Sequence, residues 1–353
     1  MDTLTHALSG ALCARATAPQ RARIPLAARV TAGFFAAAFP DIDSLLAYVS
    51  PVAYLTGHRG VTHSVLLLPL WAWLLAWLCA QLYRRPGVTW RDFFGVCALA
   101  IGMHILGDLI TSFGTIVFAP VWDARFALST TFIIDLWFTG IILAGLAASA
   151  IWRRTRVPAV LGLSVLAGYV AMQAVLHSRA VDFGIAHAKE AGLAATRIDA
   201  VPRPVSPFNW MVMIETPERY HYAFVNLVRD RAPAPPGPDT GFIARLDAAY
   251  QPLAGAKWVV AEKLGRVESE RELARTVLAS PEMAFYRWFA EYPVLYRIDR
   301  GNPSTCVWFE DLRFETPGRD ANIFRFGLCR EAEAGGWRAY RLNDDGTREP
   351  AEG

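Results

Sequence analysis

Two stretches of twenty residues, 64–83 and 157–176, contain no charged side chain. A helix of about 20 apolar residues is long enough to cross the roughly 30 Å hydrocarbon core of a membrane. Residues 93–110 and 131–152 are also apolar, with one or two embedded ionisable groups each. We predict that these four segments are transmembrane helices. Weaker apolar segments at 3–18 and 24–39 are shorter candidates, which either cross within the bundle or enter only partway.

The charges divide the chain into two dissimilar halves. Residues 1–176 contain 12 Arg, no Lys, seven Asp and no Glu, whereas residues 177–353 contain 23 Lys+Arg and 25 Asp+Glu. This contrast predicts a membrane domain at 1–176 and a water-exposed domain at 177–353. No basic cluster suits nucleic acid, no repeat period occurs and no CxxC indicates a zinc finger. The acidic start, Met1-Asp2-Thr3, predicts no cleavable signal peptide.

Three groups of arginines predict the orientation in the membrane. They follow the span at 64–83, link the spans at 131–152 and 157–176, and lie between the two short helices. Because arginine is enriched in cytoplasmic loops, one topology fits all three groups: six crossings, with the N-terminus, loops 40–63 and 112–130, and everything after 176 outside. The groups are Arg84, Arg85 and Arg91; Arg153, Arg154 and Arg156; and Arg15, Arg21, Arg23 and Arg29.

The polar half has the pattern of a small extracytoplasmic α+β domain. Strand-like stretches occur at 220–228, 307–314, 323–328 and 337–342, helical patterns at 243–249 and 282–291, and Pro-rich connectors at 201–208 and 232–238. The predicted fold is therefore mainly α, a polytopic membrane bundle of about six helices followed by this domain. Cys306 and Cys329 would lie outside the cytoplasm, either paired or as two free thiols.

The polar residues of the apolar half map to one side of the predicted bundle. Asp2 and His6, like His104 and Asp108, are four residues apart and share a helix face. Under the orientation set by the arginines, all the carboxylates and imidazoles in question fall in the outer half. The set is Asp2, His6, Asp41, Asp43, His58, His63, His104, Asp108 and Asp135.

This convergence favours a metal site. Ionisable groups in membrane segments are costly and usually functional, and imidazole with carboxylate suits zinc. Taken singly, a His–Asp pair is commonly a structural hydrogen bond, the Asp41–Asp43 element fits a helix cap and the loop histidines fit a polar loop. The prediction therefore depends on four pairs occurring together. They are Asp2 with His6, Asp41 with Asp43, His58 with His63, and His104 with Asp108.

The same residues form ordered motifs that resemble the YdjM-type family of bacterial inner-membrane metal-dependent hydrolases. The resemblance covers roughly residues 1–180. The motifs are MDTLTH at 1–6, PDID at 40–43, HRGVTHS at 58–64, HILGD at 104–108 with Thr111, FGT at 113–115, Pro120, and Ile134-Asp135. The resemblance implies a multi-pass protein of the bacterial inner membrane with a catalytic metal centre.

A more distant similarity is to zinc-dependent phospholipase C, whose ligands follow the order His, Asp, His, HxxxD. The later HxxxE of those enzymes has no counterpart here, so one or two zinc ions are expected instead of three. The predicted metal ligands are His6, Asp41, His58, His63, His104 and Asp108. Either Asp41 or Asp43 is the predicted general base, and which of them binds metal stays open.

Other residues are assigned around the ligands. Arg59 is predicted to bind an anionic substrate group, since its planar guanidinium can donate two parallel hydrogen bonds to a phosphate. Asp2, Thr62, Thr111 and Asp135 are predicted to orient the ligands. A site at outer-leaflet depth favours a lipid or lipid-linked phosphoester as substrate.

Two other functions compete with hydrolysis. Intramembrane Asp and His residues also mark the ion pathways of transporters. Against a transporter, the polar groups lie on one side only and no inverted repeat is present. The other function is a non-catalytic scaffold whose exterior domain binds a partner, and it predicts that metal removal leaves function intact.

Overall fold

The computed structural model describes residues 1–20, 23–237, 240–301, 304–317, 322–331 and 335–351. Arg21 of the predicted arginine groups and Pro238 of the second predicted connector lie outside these residues. The chain divides into two compact units. The first comprises Met1–Ser44, Arg59–His177 and Pro202–Pro207; the second comprises Leu45–His58, Ser178–Val201 and Phe208–Gly353.

The first half of the chain is helical. Two 3-10 segments, Phe39–Tyr48 and Val61–His63, carry polar residues of interest between its α-helices. The α-helices are α1 Thr3–Ala16, α2 Leu26–Ala38, α3 Pro51–Gly57, α4 Leu68–Tyr83, α5 Trp90–Leu109, α6 Leu136–Ile151 and α7 Val157–Glu190.

Three helical segments are long and apolar enough to cross a membrane: Leu26–Tyr48, Trp90–Leu109 and Val157–Glu190. The bent pair formed by Pro51–His63 and Leu68–Tyr83 raises the number to four if it counts as one span. The helical character predicted for this half is therefore confirmed, and it includes three candidate membrane spans. The predicted count of six crossings and their direction stay predictions.

Helix boundaries differ from the predicted ones for local reasons. The helix expected from residue 64 begins at Leu68, because Ser64 is held in the preceding loop by a hydrogen bond to the Ala119 carbonyl. The helix expected from residue 131 begins at Leu136, where the Asp135 side chain caps the free N–H groups of the first turn. The last helix continues well beyond residue 176, to Glu190.

Helices α1 and α2 touch backbone to backbone. A Cβ atom on Gly10 would overlap the carbonyl oxygen of Gly33 and the Cβ of Ala37, and one on Gly33 would come within 2.6 Å of the Ala14 Cβ. Small residues at a crossing let helices approach closely, which is how helices pack inside membranes. The contact fixes α1 against α2 next to the residues that carry the candidate site.

The second unit is built mainly from two five-stranded sheets. The order of the first is β1-β2-β3-β4 with β5 also on β3, and that of the second is β10-β9-β8-β7-β6. The strands are β1 Arg197–Pro202, β2 Asn209–Glu215, β3 Arg219–Asn226, β4 Gln251–Pro252, β5 Val259–Glu262, β6 Pro293–Arg300, β7 Thr305–Asp311, β8 Phe326–Arg330, β9 Arg338–Leu342 and β10 Arg348–Pro350. The helices after α7 are α8 Phe242–Asp247, α9 Glu268–Ala279 and α10 Ala284–Phe289.

This part is richer in sheet than the sequence predicted. Strands do occur at the four predicted stretches, but β1, β2 and β6 were not anticipated, and β1 runs into the predicted connector at 201–208. Cys306 and Cys329 face each other in the register of β7 and β8 and form a disulfide, which decides between the two alternatives. Cys13, Cys79 and Cys97 are free thiols.

Candidate metal centre

Four side chains that could ligate a metal meet inside the first unit: Asp41, His63, His104 and Asp108. One ligand atom from each lies within 4.8 Å of the other three. The two histidines and Asp108 are fully buried, and only 9% of Asp41 is exposed. The 3-10 segments after α2 and before α4 supply Asp41 and His63, and α5 supplies the HxxxD pair.

The distances between these atoms match the size of a metal ion. The two Nε2 atoms of His63 and His104 are 2.8 Å apart. Asp108 Oδ2 lies 3.0 and 3.4 Å from them, and Asp41 Oδ1 lies 3.9 and 3.6 Å from them. A tetrahedral ion with bonds of about 2.0–2.1 Å separates its ligand atoms by roughly 3.3 Å. The five distances scatter around that value.

Hydrogen bonds on the far side of each ring fix its tautomer. His104 Nδ1 lies 2.6 Å from the Ala37 carbonyl, which can only accept, so Nδ1 carries the hydrogen. His63 Nδ1 lies 3.2 Å from Asp43 Oδ2, and Thr62 Oγ1 donates to the same oxygen over 2.6 Å. In the neutral rings both Nε2 lone pairs therefore point at one centre. Such outer hydrogen bonds are the usual support of metal-bound histidines.

The carboxylates also leave acceptors without a donor. Asp41 Oδ2 and Asp108 Oδ2 are buried and accept no hydrogen bond from the described residues. A buried charged oxygen without a partner is costly. The two Nε2 lone pairs, Asp108 Oδ2 and Asp41 Oδ1 meet at one point and fit a bound cation, so the residues present suit a divalent metal.

The other oxygen of Asp108 is fully engaged. Asp108 Oδ1 lies 3.0 Å from His6 Nε2 and 2.9 Å from Arg59 Nη2, and it also pairs with the Met1 ammonium. The ring of His6 stacks on His104 at 3.7 Å. His6 is thus next to the four-residue cluster, holding Asp108, and is not one of its four members.

Arg59 has a different place from the one predicted. Its side chain is buried, and besides Asp108 its Nη1 donates to Thr111 Oγ1 over 2.8 Å. Its backbone N–H donates to Asp43 Oδ2 over 3.0 Å, at a φ of 60° that is rare for a residue with a side chain. The buried guanidinium therefore braces Asp108, and its predicted contact with a substrate anion stays a prediction.

Three predicted residues lie elsewhere. His58 belongs to the second unit and stacks on Tyr54 at 4.7 Å. Asp2 is the N-cap of α1 and accepts from Thr5 N over 2.9 Å. Asp135 caps α6 and accepts from Tyr169 Oη over 2.7 Å, and these bonds give it a structural position.

Comparison with known proteins assigns this chain to a protein family. Residues 1–180, about half of it, match the family model described as YdjM inner membrane protein. The chain belongs to the YdjM family. It is also 28% identical over 143 residues to "Uncharacterized protein YfhP" of Bacillus subtilis (strain 168). That match covers 40% of this chain and 42% of the relative, so under half of either protein is compared. No solved structure matches the chain.

The YdjM match contains the whole cluster. All four residues of the cluster, and the residues that brace them, lie within 1–180, whereas most of the second unit lies beyond the matched residues. The resemblance to the YdjM family drawn from the motifs is confirmed. The Ala37 carbonyl was missed by sequence reasoning, because a backbone acceptor leaves no side-chain signal.

Proposed function

We propose that this YdjM protein is a membrane-embedded, metal-dependent hydrolase whose ion is held by Asp41, His63, His104 and Asp108. The observation that carries the proposal is the convergence of two fixed Nε2 lone pairs with Asp108 Oδ2, which accepts no hydrogen bond from the described residues, and with Asp41 Oδ1. Two imidazoles with two carboxylates favour zinc over the alkaline-earth ions. When bound, such an ion activates water as a nucleophile near neutral pH.

The surrounding residues have distinct proposed roles. Asp43 positions His63 and the backbone of Arg59, which makes it a positioning residue and leaves the ligand role to Asp41. Asp41 is the most exposed of the four, and its free Oδ2 is the proposed acceptor for the proton of the attacking water. Arg59 and His6 hold Asp108 Oδ1, so that Oδ2 is left for the ion.

The proposed substrate is a lipid or lipid-linked phosphoester. Ile42, between the two carboxylates, is 52% exposed, so the least buried edge of the cluster adjoins an apolar surface. An acyl or polyprenyl chain would lie on such a surface without losing its contact with lipid. Membership of an inner-membrane family agrees with a substrate of this kind.

The proposed orientation has the C-terminal domain outside the cytoplasm. The Cys306–Cys329 disulfide supports it, since disulfides persist in oxidising compartments. The three free thiols all belong to the helices predicted to cross the membrane. A cysteine-labelling map with a membrane-impermeant reagent tests the orientation separately from the chemistry.

The decisive experiment measures metal content and hydrolysis together. Protein purified in detergent is analysed for metals by mass spectrometry and then assayed for release of phosphate or headgroup from phospholipid vesicles. We expect one or two equivalents of zinc in the wild type, and His104→Ala and Asp108→Ala should lose both metal and activity. Full metal stoichiometry in His104→Ala would sink the ligand assignment. A wild type that stays metal-free after reconstitution with zinc or manganese would favour an ion relay and transport.

A further inference from the structure

A second polar feature of the first unit lies at the other ends of α1 and α2. A cavity of about 510 Å³ opens between the end of α1, the start of α2 and the segment before α7. Four arginines line it: Arg15, Arg29, Arg154 and Arg156. Nine residues separate His6 from Arg15, about 13 Å along α1, so the cavity is distinct from the metal centre.

The four guanidinium groups have no negative counterpart. None of them forms an ion pair with a carboxylate among the described residues. No Asp or Glu is among the described residues that line the cavity, and the seven aspartates of residues 1–176 are at positions 2, 41, 43, 92, 108, 123 and 135. Four like charges around one cavity attract an anion.

Each guanidinium keeps donors for that anion. Arg15, itself 9% exposed, uses Nη2 to donate to the carbonyls of Arg153 and Thr155, which leaves Nε and Nη1 without a partner in the described chain. Arg29 donates from Nε and Nη2 to α1 carbonyls and to Thr17, and its Nη1 is left over. These bonds hold Arg15 and Arg29, the inner pair of arginines, in place and leave at least one N–H group on each to donate to an anion.

Two helices also begin at the cavity. Leu26, the first residue of α2, and Val157, the first residue of α7, both line it. The N-cap of α2 is Pro25, which makes no side-chain capping bond, so the first-turn N–H groups of that helix are not satisfied by a cap. A helix N-terminus carries partial positive charge and is a common seat for phosphate.

We propose that this cavity binds a phosphate oxyanion. The inner arginines would anchor the anion, and the exposed Arg154 and Arg156 would close around it. Two sources supply this chemistry, the headgroup of an anionic phospholipid and a soluble phosphate or pyrophosphate. Basic pockets between membrane helices bind anionic headgroups in this manner. The proposal does not depend on the metal centre or on hydrolysis.

The test uses the full chain in detergent micelles and native mass spectrometry. Phosphatidylglycerol, zwitterionic phosphatidylcholine and lipid-free pyrophosphate are titrated separately. The test variant is Arg154→Gln/Arg156→Gln, since both side chains are exposed and make no internal bond among the described residues. The matched control is Arg85→Gln/Arg91→Gln, which removes the same charge from exposed residues that do not line the cavity.

We expect one phosphatidylglycerol to bind in preference to phosphatidylcholine. Each arginine near anionic lipid contributes about fivefold in affinity, so the test variant should bind about 25-fold more weakly and the control should match the wild type. Pyrophosphate binding lost in the test variant, without a preference for phosphatidylglycerol, would support the cavity with a soluble occupant. Equal binding in both double variants, or no saturable binding of either anion, would overturn the proposal.

Discussion

Asp108 in the first unit and Asp311 in the second are both fully buried carboxylates, yet their charges are balanced differently. Asp311 Oδ2 pairs with Arg313 Nη2 over 2.7 Å and accepts from the Glu291 backbone, while Oδ1 accepts from the Arg313 backbone. Arg313 in turn reaches Glu291 Oε1 at 3.1 Å. Every oxygen of Asp311 therefore has a donor supplied by the chain.

The cluster around Asp108 is not closed in this way. Oδ1 of Asp108 is engaged by His6 and Arg59, but its Oδ2 faces the cluster and accepts no hydrogen bond from the described residues, and Asp41 Oδ2 is likewise buried without one. In the second unit, burial alone would lower the pKa of Arg313, but Asp311 and Glu291 outweigh it and raise that pKa. The comparison teaches that burial of charge does not identify a binding site. The incomplete set of charge partners at Asp108 is what supports the proposed site.

The largest expected effect separates two histidines of one loop. His63→Ala removes a member of the cluster, and His58→Ala removes a residue of the same motif that stacks on Tyr54 instead. We expect metal to fall from about one equivalent to below a tenth in His63→Ala, since one of four ligands is gone. His58→Ala should keep it. Equal loss in both, measured by mass spectrometry, would mean that the loop matters only as a whole.

The next effect tests the closed network of the second unit. Asp311→Ala leaves Arg313 buried with part of its charge uncompensated, and breaking such a pair costs about 3–5 kcal/mol. Hydrogen exchange of β7 and β8 should report the loss in the free energy of unfolding, while metal content stays at the wild-type level. A change in metal content without a change in hydrogen exchange would contradict the view that Asp311 stabilises the second unit and has no part in metal binding.

A smaller effect is expected at Asp43, which contacts His63 without belonging to the four-residue cluster. Asp43→Asn keeps the shape but weakens the acceptor that fixes the His63 tautomer. Loss of such an outer partner typically lowers metal affinity by about 10–100-fold. Competition with a zinc chelator of known affinity measures the metal affinity of the variant and of the wild type. Asp43→Asn with no bound metal under any condition would make Asp43 a ligand.

The smallest effect is expected at the exposed edge of the network formed by Asp311, Arg313 and Glu291 in the second unit. Arg197 pairs with Glu291 over 2.7 Å, but its side chain is 42% exposed. Exposed ion pairs contribute about 0–1 kcal/mol, so Arg197→Ala should change the unfolding free energy far less than Asp311→Ala. A loss as large as that of Asp311→Ala would show that the network extends to the surface.

The sequence predicted the helical half well because its signal is local. Charge-free runs mark helices, and the i,i+4 spacing of His104 and Asp108 already places both on one face. The sheets were harder, since β2 and β6 owe their pairing to strands distant along the chain. The short apolar run of β2 reads equally as strand or buried helix.

The candidate site was predicted in part for the same reason. Residue types identified His63, His104 and Asp108, and left Asp41 and Asp43 as alternatives. They did not distinguish a ligand from its support, because Asp41 and Asp43 are the same residue type and differ only in the direction of their side chains within one 3-10 segment. His58 was placed with His63 on motif alone, but the four-residue cluster contains His63 and not His58. Asp135 and Asp2 cap helices, as an aspartate before a helix commonly does, and their predicted role in orienting the ligands stays a prediction.

The contact of Gly10 with Gly33 bears on which mutations a genetic screen would recover. A methyl group on Gly10 would strike both Gly33 and Ala37, and Ala37 is the residue whose carbonyl holds the ring of His104. The atoms nearest to that methyl group are the Gly33 backbone and the Ala37 Cβ, which cannot move aside as the end of a long side chain can. Loss-of-function alleles should therefore be found at glycines that have no chemistry of their own, alongside those at Asp and His codons. In this part of the protein, purifying selection would act on the absence of a side chain as strictly as on the presence of one.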